Sequence, residues 1–269
     1  MQVAGRIAFV TGAGRGIGRA VCRELRARGA AGVVVADLDG ALAQATAAEL
    51  GGLGVQCDVA SEAAVQSAIA AAIAHYGRVD IVFSNAGFGV KELDLDDALS
   101  EANDVWQRMW EVHVMAHVYA SRAALPGMLE RGEGCLVNVA SAAGLLCQVG
   151  DAAYSATKHA AVSLAESLAI SYGERGIQVA VVCPQYVATA ITGLDEKLGE
   201  DAPPGLLSVE QAARAIADGL ESGTFLIATH PEVLGFFQRK AADYDRWISG
   251  MRRLRAGLRK GEGFLKVRK

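Results

Sequence analysis

No run of residues in this chain is apolar for long enough to span a bilayer, so the sequence offers no transmembrane helix. Cysteine is scarce. The five, Cys22, Cys57, Cys135, Cys147 and Cys183, are scattered and odd in number, with no two set close as metal ligands. This speaks against a disulfide framework and a zinc site and for reduced thiols in a core, so no metal is expected. No internal repeat and no low-complexity linker divides the chain. No recognised nucleic-acid motif is present, and nucleic acid is not expected as a partner. Met1 to Val10 carries only a short apolar run that passes straight into a glycine-rich turn, so it reads as a first strand rather than a signal peptide. Together these absences set the expectation of a cytoplasmic protein.

What the chain does have is apolar bulk. Hydrophobic residues fill 52% of 269 positions, enough for one sizeable core in one long domain. Strand-like runs fall at Ile7 to Thr11, Gly32 to Ala36, Gly54 to Cys57, Ile81 to Ser84, Cys135 to Ala140, Gln178 to Cys183 and Thr224 to Ala228. Between them lie alanine-rich, helix-favouring stretches such as Leu42 to Leu50, Ala63 to Tyr76, Trp106 to Glu130 and Val209 to Glu221. Apolar strands alternating with helices predict an α/β fold: a doubly wound, mostly parallel sheet with helices on both faces. Such sheets bind ligands at the carboxyl ends of their strands.

Two motifs carry chemistry. In Thr11-Gly12-Ala13-Gly14-Arg15-Gly16-Ile17-Gly18 the glycines follow a strand and open a helix reaching about Arg28. Backbone amides and the positive end of a helix dipole can hold a pyrophosphate there. Farther on, Tyr154 and Lys158 stand four residues apart in a predicted helix, Ala153 to Tyr172, with Ser141 at the end of an earlier apolar run. Helical spacing stacks the phenol and the ammonium on one face, where a nearby cation lowers the phenol's pKa and lets it exchange a proton.

The ordered set of glycine turn, Asp58, Asn85-Ala86-Gly87, Ser141, Tyr154-x-x-x-Lys158 and Pro184 to Thr189 resembles that of the single-domain short-chain dehydrogenases/reductases, over about residues 5 to 229. The resemblance implies a Rossmann-type fold and reversible hydride transfer between a nicotinamide dinucleotide and an alcohol or carbonyl. On it, Tyr154 is the general acid/base, Lys158 its partner and the holder of the nicotinamide ribose, and Ser141 a hydrogen-bonding group at the substrate oxygen. Gly12, Arg15, Gly16, Ile17 and Gly18 belong to the pyrophosphate turn. Asp58 and Val59 match positions at the adenine, Asn85, Ala86 and Gly87 pass beside the cofactor, and Pro184, Val187 and Thr189 approach the carboxamide. Asp37, closing the second strand, suits the ribose hydroxyls and repels a ribose phosphate, so NAD is expected over NADP, with Arg15 pulling weakly the other way. Three plainer readings stand beside these: Asp37 and Asp58 as helix caps, and Asn85 as a stitch between loops.

Two positions depart from the family pattern. His113 stands where an asparagine usually anchors a water behind the lysine. Three readings are open: a core histidine filling the same volume, a relay kept by a backbone carbonyl, or an imidazole that joins the proton path. Gln185 replaces the glycine usual after the proline and, with Tyr186, shapes substrate choice or simply makes a turn. From Ala190 to Leu207, with Gly193, Gly199 and Pro203-Pro204, a mobile substrate-covering segment is expected.

Charge divides the chain. Residues 230 to 269 carry eleven Lys/Arg against four Asp/Glu, a net of +7, whereas the first 229 carry fifteen against twenty-six, a net of −11. We therefore read 1–229 as the dinucleotide-binding and catalytic unit and 230–269 as a basic helical extension. Phe237, Ala241, Tyr244, Ile248, Met251, Leu254 and Leu258 recur at helical intervals, predicting one amphipathic helix from Pro231 to Leu258. The preferred site for it is over the substrate mouth or against another subunit, with an anionic membrane surface second. The family suggests a homodimer or homotetramer, and the expected substrate is a small to medium, largely apolar alcohol or ketone. A catalytically weak dinucleotide-binding regulator or scaffold is the alternative.

Overall fold

The computed structural model describes residues 1–90, 92–191 and 205–262. The chain opens with β1 (Ile7–Thr11), α1 (Gly16–Ala27), β2 (Gly32–Asp37), α2 (Gly40–Leu50), β3 (Leu53–Gln56), α3 (Glu62–Tyr76) and β4 (Ile81–Ser84). Next come α4 (Asn103–Trp110), a π-helical turn (Glu111–Met115), α5 (Ala116–Arg131), β5 (Gly134–Val139), α6 (Ala152–Tyr172) and β6 (Ile177–Val182). It closes with β7 (Tyr186–Val187), β8 (Leu206–Leu207), α7 (Val209–Glu221), β9 (Leu226–Ile227), α8 (Glu232–Ala242) and α9 (Tyr244–Arg259).

Seven strands form one parallel sheet in the order β3-β2-β1-β4-β5-β6-β9. Successive residues of each strand point to opposite faces. Phe9, Val34, Ala36 and Leu136 enter a core with α3, α5 and α6, while Ala8, Val10, Val33, Val35 and Val137 enter a second core with α1, α2 and α7. Both faces being covered, the strands are apolar on both sides, which is why they stand out in the sequence. The winding reverses between β1 and β4, and that switch point opens a crevice at the strands' carboxyl ends. The expected doubly wound, Rossmann-type fold with a C-terminal helical extension is the fold observed.

Three expectations need correction. The stretch Trp106 to Glu130 is not one α-helix: α4 and α5 are separated by the π turn that carries His113. The tail helix is likewise two helices. Asp243 adopts an extended backbone (φ −154°, ψ 94°) and its carboxylate caps α9 by accepting from Arg246 N at 2.9 Å, so an N-cap interrupts an otherwise continuous apolar stripe. Four cysteines are buried, but Cys147 is exposed and holds a left-handed φ of 116°. Most of the expected substrate-covering segment, with Gly193, Gly199 and Pro203-Pro204, lies outside the described residues; Leu206 and Leu207 pair with Tyr186 and Val187. No helix among the described residues is long and apolar enough to cross a membrane.

Candidate active site

A groove of about 620 Å³ follows the switch point and is lined by Gly12, Arg15, Gly16, Ile17, Asp37, Asp58, Val59, Asn85, Ala86, Gly87 and Thr189. A smaller cavity of about 80 Å³ adjoins it, sharing Ile17, Asn85, Gly87 and Thr189 and adding Ser141, Tyr154, Lys158, Pro184, Gln185 and Val187. The fold thus brings the sequence-selected residues other than His113 around two adjoining cavities, with Gly18 packed against Gly12 and Asn85 of the lining. A Cβ on Gly18 would overlap the Gly12 carbonyl oxygen and stand 2.7 Å from Asn85 Nδ2; one on Gly12, at φ +60°, would stand 2.8 Å from Ala86 Cα. Only bare backbone lets the turn close this tightly, and a glycine turn that opens a helix in this way can hold an anion. The recess has the size, the glycine cradle and the terminal carboxylate of Asp37 that a dinucleotide requires.

Asp37 does not cap α2. Its Oδ2 accepts from Gly14 N at 2.8 Å and its Oδ1 from Asp39 N at 3.0 Å, while Asp39 is the cap, accepting from Ala41 N and Leu42 N. Asp37 therefore ties the second strand to the glycine turn. Nor does Asp58 cap α3, a task done by Ser61. Asp58 accepts from Ala60 N at 3.0 Å and pairs with Arg108 at 3.2 Å, at the groove wall. Asn85 stitches loops as its plainer reading held: its Nδ2 donates to the Thr11 and Gly12 carbonyls at 2.9 and 3.1 Å.

Tyr154 occupies the first turn of α6, where Asp151 caps the helix by accepting from Tyr154 N at 3.0 Å. The phenol and the Ser141 hydroxyl line the same small cavity, and the Ser141 side chain acts to lower the phenol's pKa. Ser141 in turn donates to the Pro184 carbonyl at 3.4 Å and accepts from Ala143 N at 3.1 Å. Burial pushes the Tyr154 phenol up to about 12, against the opposing pull of the Ser141 side chain and with the Asp151 charge adding to the rise. Lys158, 3% exposed, directs its ammonium at the Val139 carbonyl (3.1 Å) and lies 5.5 Å from the centre of the Tyr154 ring. Burial lowers it to about 8. The simple expectation of an ammonium depressing a phenol therefore meets an opposing force, since desolvation disfavours both charged forms.

His113 is fully buried, with both ring nitrogens engaged. Nε2 accepts the Phe88 N–H at 3.1 Å, so the ring proton resides on Nδ1 and is given to Thr157 Oγ1 at 3.0 Å. The Thr157 hydroxyl passes its own proton toward the Ala153 and Tyr154 carbonyls, each at 3.0 Å. Burial first, then the Lys158 charge, holds the imidazole well below its ordinary pKa.

Several residues escaped the sequence reading. Thr11 accepts the Asn85 and Ala86 N–H groups; Asp151 and Thr157 set α6; Arg108 faces Asp58. Asp151 was legible as an N-cap, but the others depend on contacts across the fold. His117, one turn beyond His113, is 1% exposed, finds no hydrogen-bond partner on either nitrogen, and is lowered by burial to about 3. His230 is equally enclosed: Nδ1 accepts from Gln185 N at 3.3 Å and Nε2 donates toward the Tyr186 and Gly205 carbonyls at 3.1 and 3.0 Å. Among the described residues no three His, Cys, Asp or Glu side chains are grouped to hold a metal ion.

A recess at the switch point of a parallel sheet, with Ser141, Tyr154 and Lys158 gathered in a small cavity beside it, defines a class of dinucleotide-binding folds, and comparison with known proteins narrows it. Residues 6–198 match the short chain dehydrogenase family, and the chain belongs to it. It is 39% identical over 210 residues to an inactive 2-(S)-hydroxypropyl-CoM dehydrogenase 2 of Xanthobacter autotrophicus, spanning 75% of this chain and 89% of that one. It is 34% identical over 195 residues to the meso-2,3-butanediol dehydrogenase of Serratia marcescens, spanning 71% and 75% of the two chains. A crystal structure of a short chain dehydrogenase/reductase from Burkholderia phymatum in complex with NAD superposes with a TM-score of 0.80 at 29% identity, covering 91% of this chain and 96% of that one. The 3-ketoacyl-(acyl-carrier-protein) reductase of Brucella melitensis complexed with NADH follows at 0.75 and 31%, covering 84% and 96%.

Proposed function

We propose that this protein transfers a hydride reversibly between NAD(H) and an alcohol or carbonyl, with Tyr154 as general acid/base. The observation that carries the reading is that Ser141, Tyr154 and Lys158 line one small cavity that adjoins the dinucleotide-sized groove and shares Ile17, Asn85, Gly87 and Thr189 with it. A bound nicotinamide supplies the hydride donor or acceptor. The chain's part is to orient the substrate oxygen and move a proton at it. A phenol raised to about 12 is protonated at neutral pH and therefore set to donate to a carbonyl oxygen as it gains electrons. Ser141 donates a second hydrogen bond to that oxygen, and Lys158 holds positive charge beneath the pair. His113 serves as a positioning residue, since its neutral ring is committed at both nitrogens to Phe88 and Thr157.

Asp37 supports NAD over NADP: the next residues are Leu38 and Asp39, so no cation follows it to clamp a ribose phosphate. On this reading Asp58 and Val59, which line the groove, meet the adenine, and Val187 and Thr189, which line the smaller cavity, meet the carboxamide. Phe88, Val139, Ala140, Val187 and Ile191 around the smaller cavity support a small, largely apolar substrate. Residues 1–229 form the working unit, and the basic extension packs beside it. Assembly as a homodimer or homotetramer belongs to the same reading; Ile170, 83% exposed on α6, and Trp110, 44% exposed on α4, are apolar surface available to a second copy.

A second reading, a dinucleotide-binding protein without useful turnover, is favoured by one observation: a relative at 39% identity is described as inactive. A panel of ketones and secondary alcohols, followed by NADH absorbance with the protein and with Tyr154→Phe, separates the two. Turnover that vanishes in Tyr154→Phe while NADH still binds supports the enzyme; no turnover across the panel supports the second reading.

A further inference from the structure

The C-terminal extension holds a buried cation that the proposed chemistry leaves unused. Lys240, near the end of α8, is 7% exposed, a rare state for lysine. The partners described for its ammonium are the Leu145 carbonyl at 2.6 Å, His159 Nε2 at 3.4 Å and the face of Tyr244, 5.4 Å from the ring centre. Leu145 belongs to the loop 142–151, which joins Ser141 to Tyr154. His159 stands on α6 and gives its Nδ1 proton to the Ser155 carbonyl at 2.8 Å, leaving Nε2 free to accept from the lysine. The Ser155 hydroxyl closes the far end of the loop, accepting from Gln148 N at 2.8 Å and donating to the Asp151 carbonyl at 2.9 Å. One ammonium therefore grips both the loop that leaves Ser141 and the helix that carries Tyr154.

We propose that Lys240 is a positioning residue of the active site: from the C-terminal extension it pins the loop 142–151 to α6 and so fixes the spacing of Ser141 and Tyr154. The inference rests on the reading of those two residues as the groups at the substrate oxygen. Hydride transfer with proton exchange tolerates little misplacement of such groups, and an error of about 1 Å costs on the order of a hundredfold in rate. A single α8 lysine is a compact way to set the distance, because its bond to Leu145 survives only if α8, the loop and α6 keep their relative places. His230, at the start of the same extension, holds the backbone at Gln185 and Tyr186, and Gln185 lines the smaller cavity.

The test uses the full-length protein with Lys240→Met, which keeps the aliphatic stem but removes the donor, and Lys240→Arg, which restores a cationic donor. With a carbonyl substrate at saturation, Lys240→Met should lower kcat by about tenfold or more. NADH affinity, read by fluorescence titration, should stay within about twofold, and hydrogen exchange of amides 142–150 should accelerate while that of the β1–α1 turn does not. Lys240→Arg should recover most of the rate. An unchanged kcat and unchanged exchange in Lys240→Met overturns the proposal, as does a loss matched by equally weakened NADH binding or one that folded Lys240→Arg leaves unrepaired. Should the parent protein turn over no substrate, the functional reading fails by itself, and exchange across 142–150 in Lys240→Met still decides whether the lysine pins the loop.

Discussion

The Lys158 ammonium donates to the Val139 carbonyl at 3.1 Å, at the end of the strand that leads into Ser141. The lysine thereby ties α6 to β5 as well as standing beneath the phenol, and it does so at 3% exposure, where its charge is disfavoured. The proposed role of Lys158 and the stability of the fold pull against each other, which makes this residue a sharp place to test the site.

Burial sets the folded pKa of Lys158 to about 8, below the ordinary 10.5. The folded state resists the proton that the unfolded chain accepts, so this group opposes folding below pH about 8, and the opposition is relieved as pH rises from there to about 10.5. Lys158→Met should raise unfolding free energy at pH 7 by about 1–3 kcal/mol while suppressing turnover. Urea denaturation at pH 7 and pH 10 measures it; an equal or lower stability at pH 7 contradicts this account.

Acid should act through the buried histidines. His117 is lowered to about 3 from 6.5 and His113 also lies well below its ordinary value, so both are neutral in the fold and take up protons on unfolding below pH 6.5. Stability is fully present above that pH and falls as pH drops toward 3, by up to about 1.4 kcal/mol per pH unit for each ring. In His117→Phe the slope of stability against pH between 6 and 4 should flatten. A slope identical to that of the parent would remove His117 from the explanation.

The pH profile of turnover should carry no limb from His113. Protonating Nε2 would break its bond to Phe88 N and place a cation beside Lys158, so the ring stays neutral throughout the working range. His113→Asn is expected to alter rate modestly and leave the midpoints of the kcat/KM profile in place. A displaced midpoint would show instead that the imidazole joins the proton path.

Ser141→Ala should lower kcat by roughly a hundredfold or more, because on the proposed mechanism it removes a donor at the point where charge develops. Cofactor affinity should be retained, since Ser141 lies in the smaller cavity rather than the groove. Stopped-flow reduction with separately titrated NADH distinguishes the two effects, and a parallel loss of both would assign Ser141 to packing alone.

Cofactor choice should turn on the end of β2. Asp37→Ala combined with Leu38→Arg exchanges a carboxylate for a cation where a ribose phosphate would lie, and should invert the preference from NAD toward NADP. Paired kcat/KM values for the two cofactors give the answer; a parent already preferring NADP would defeat the premise.

The strands were legible because a parallel sheet covered on both faces must be apolar throughout, as in Phe9-Val10 and Val33-Val34-Val35. The glycine turn was legible because Gly12 and Gly18 admit no Cβ where the backbones of Thr11 to Gly18 and Asn85 to Ala86 close together. The π turn at His113 left no such trace, since one extra residue in a turn changes no residue type or local period. The break at Asp243 was missed because apolar periodicity ran on through it, and only the cap geometry ended the helix.

Sequence alone determined the sheet, the glycine cradle and the candidate trio of Ser141, Tyr154 and Lys158, because each is written in local spacing and residue type. Tertiary structure alone decided what surrounds them: the tautomer of His113, the caps at Asp39 and Ser61 that free Asp37 and Asp58 for the groove, and the grip of Lys240 on Leu145. Those depend on which distant backbone group meets a side chain, and on how much water burial removes. Neither quantity is carried by spacing along the chain.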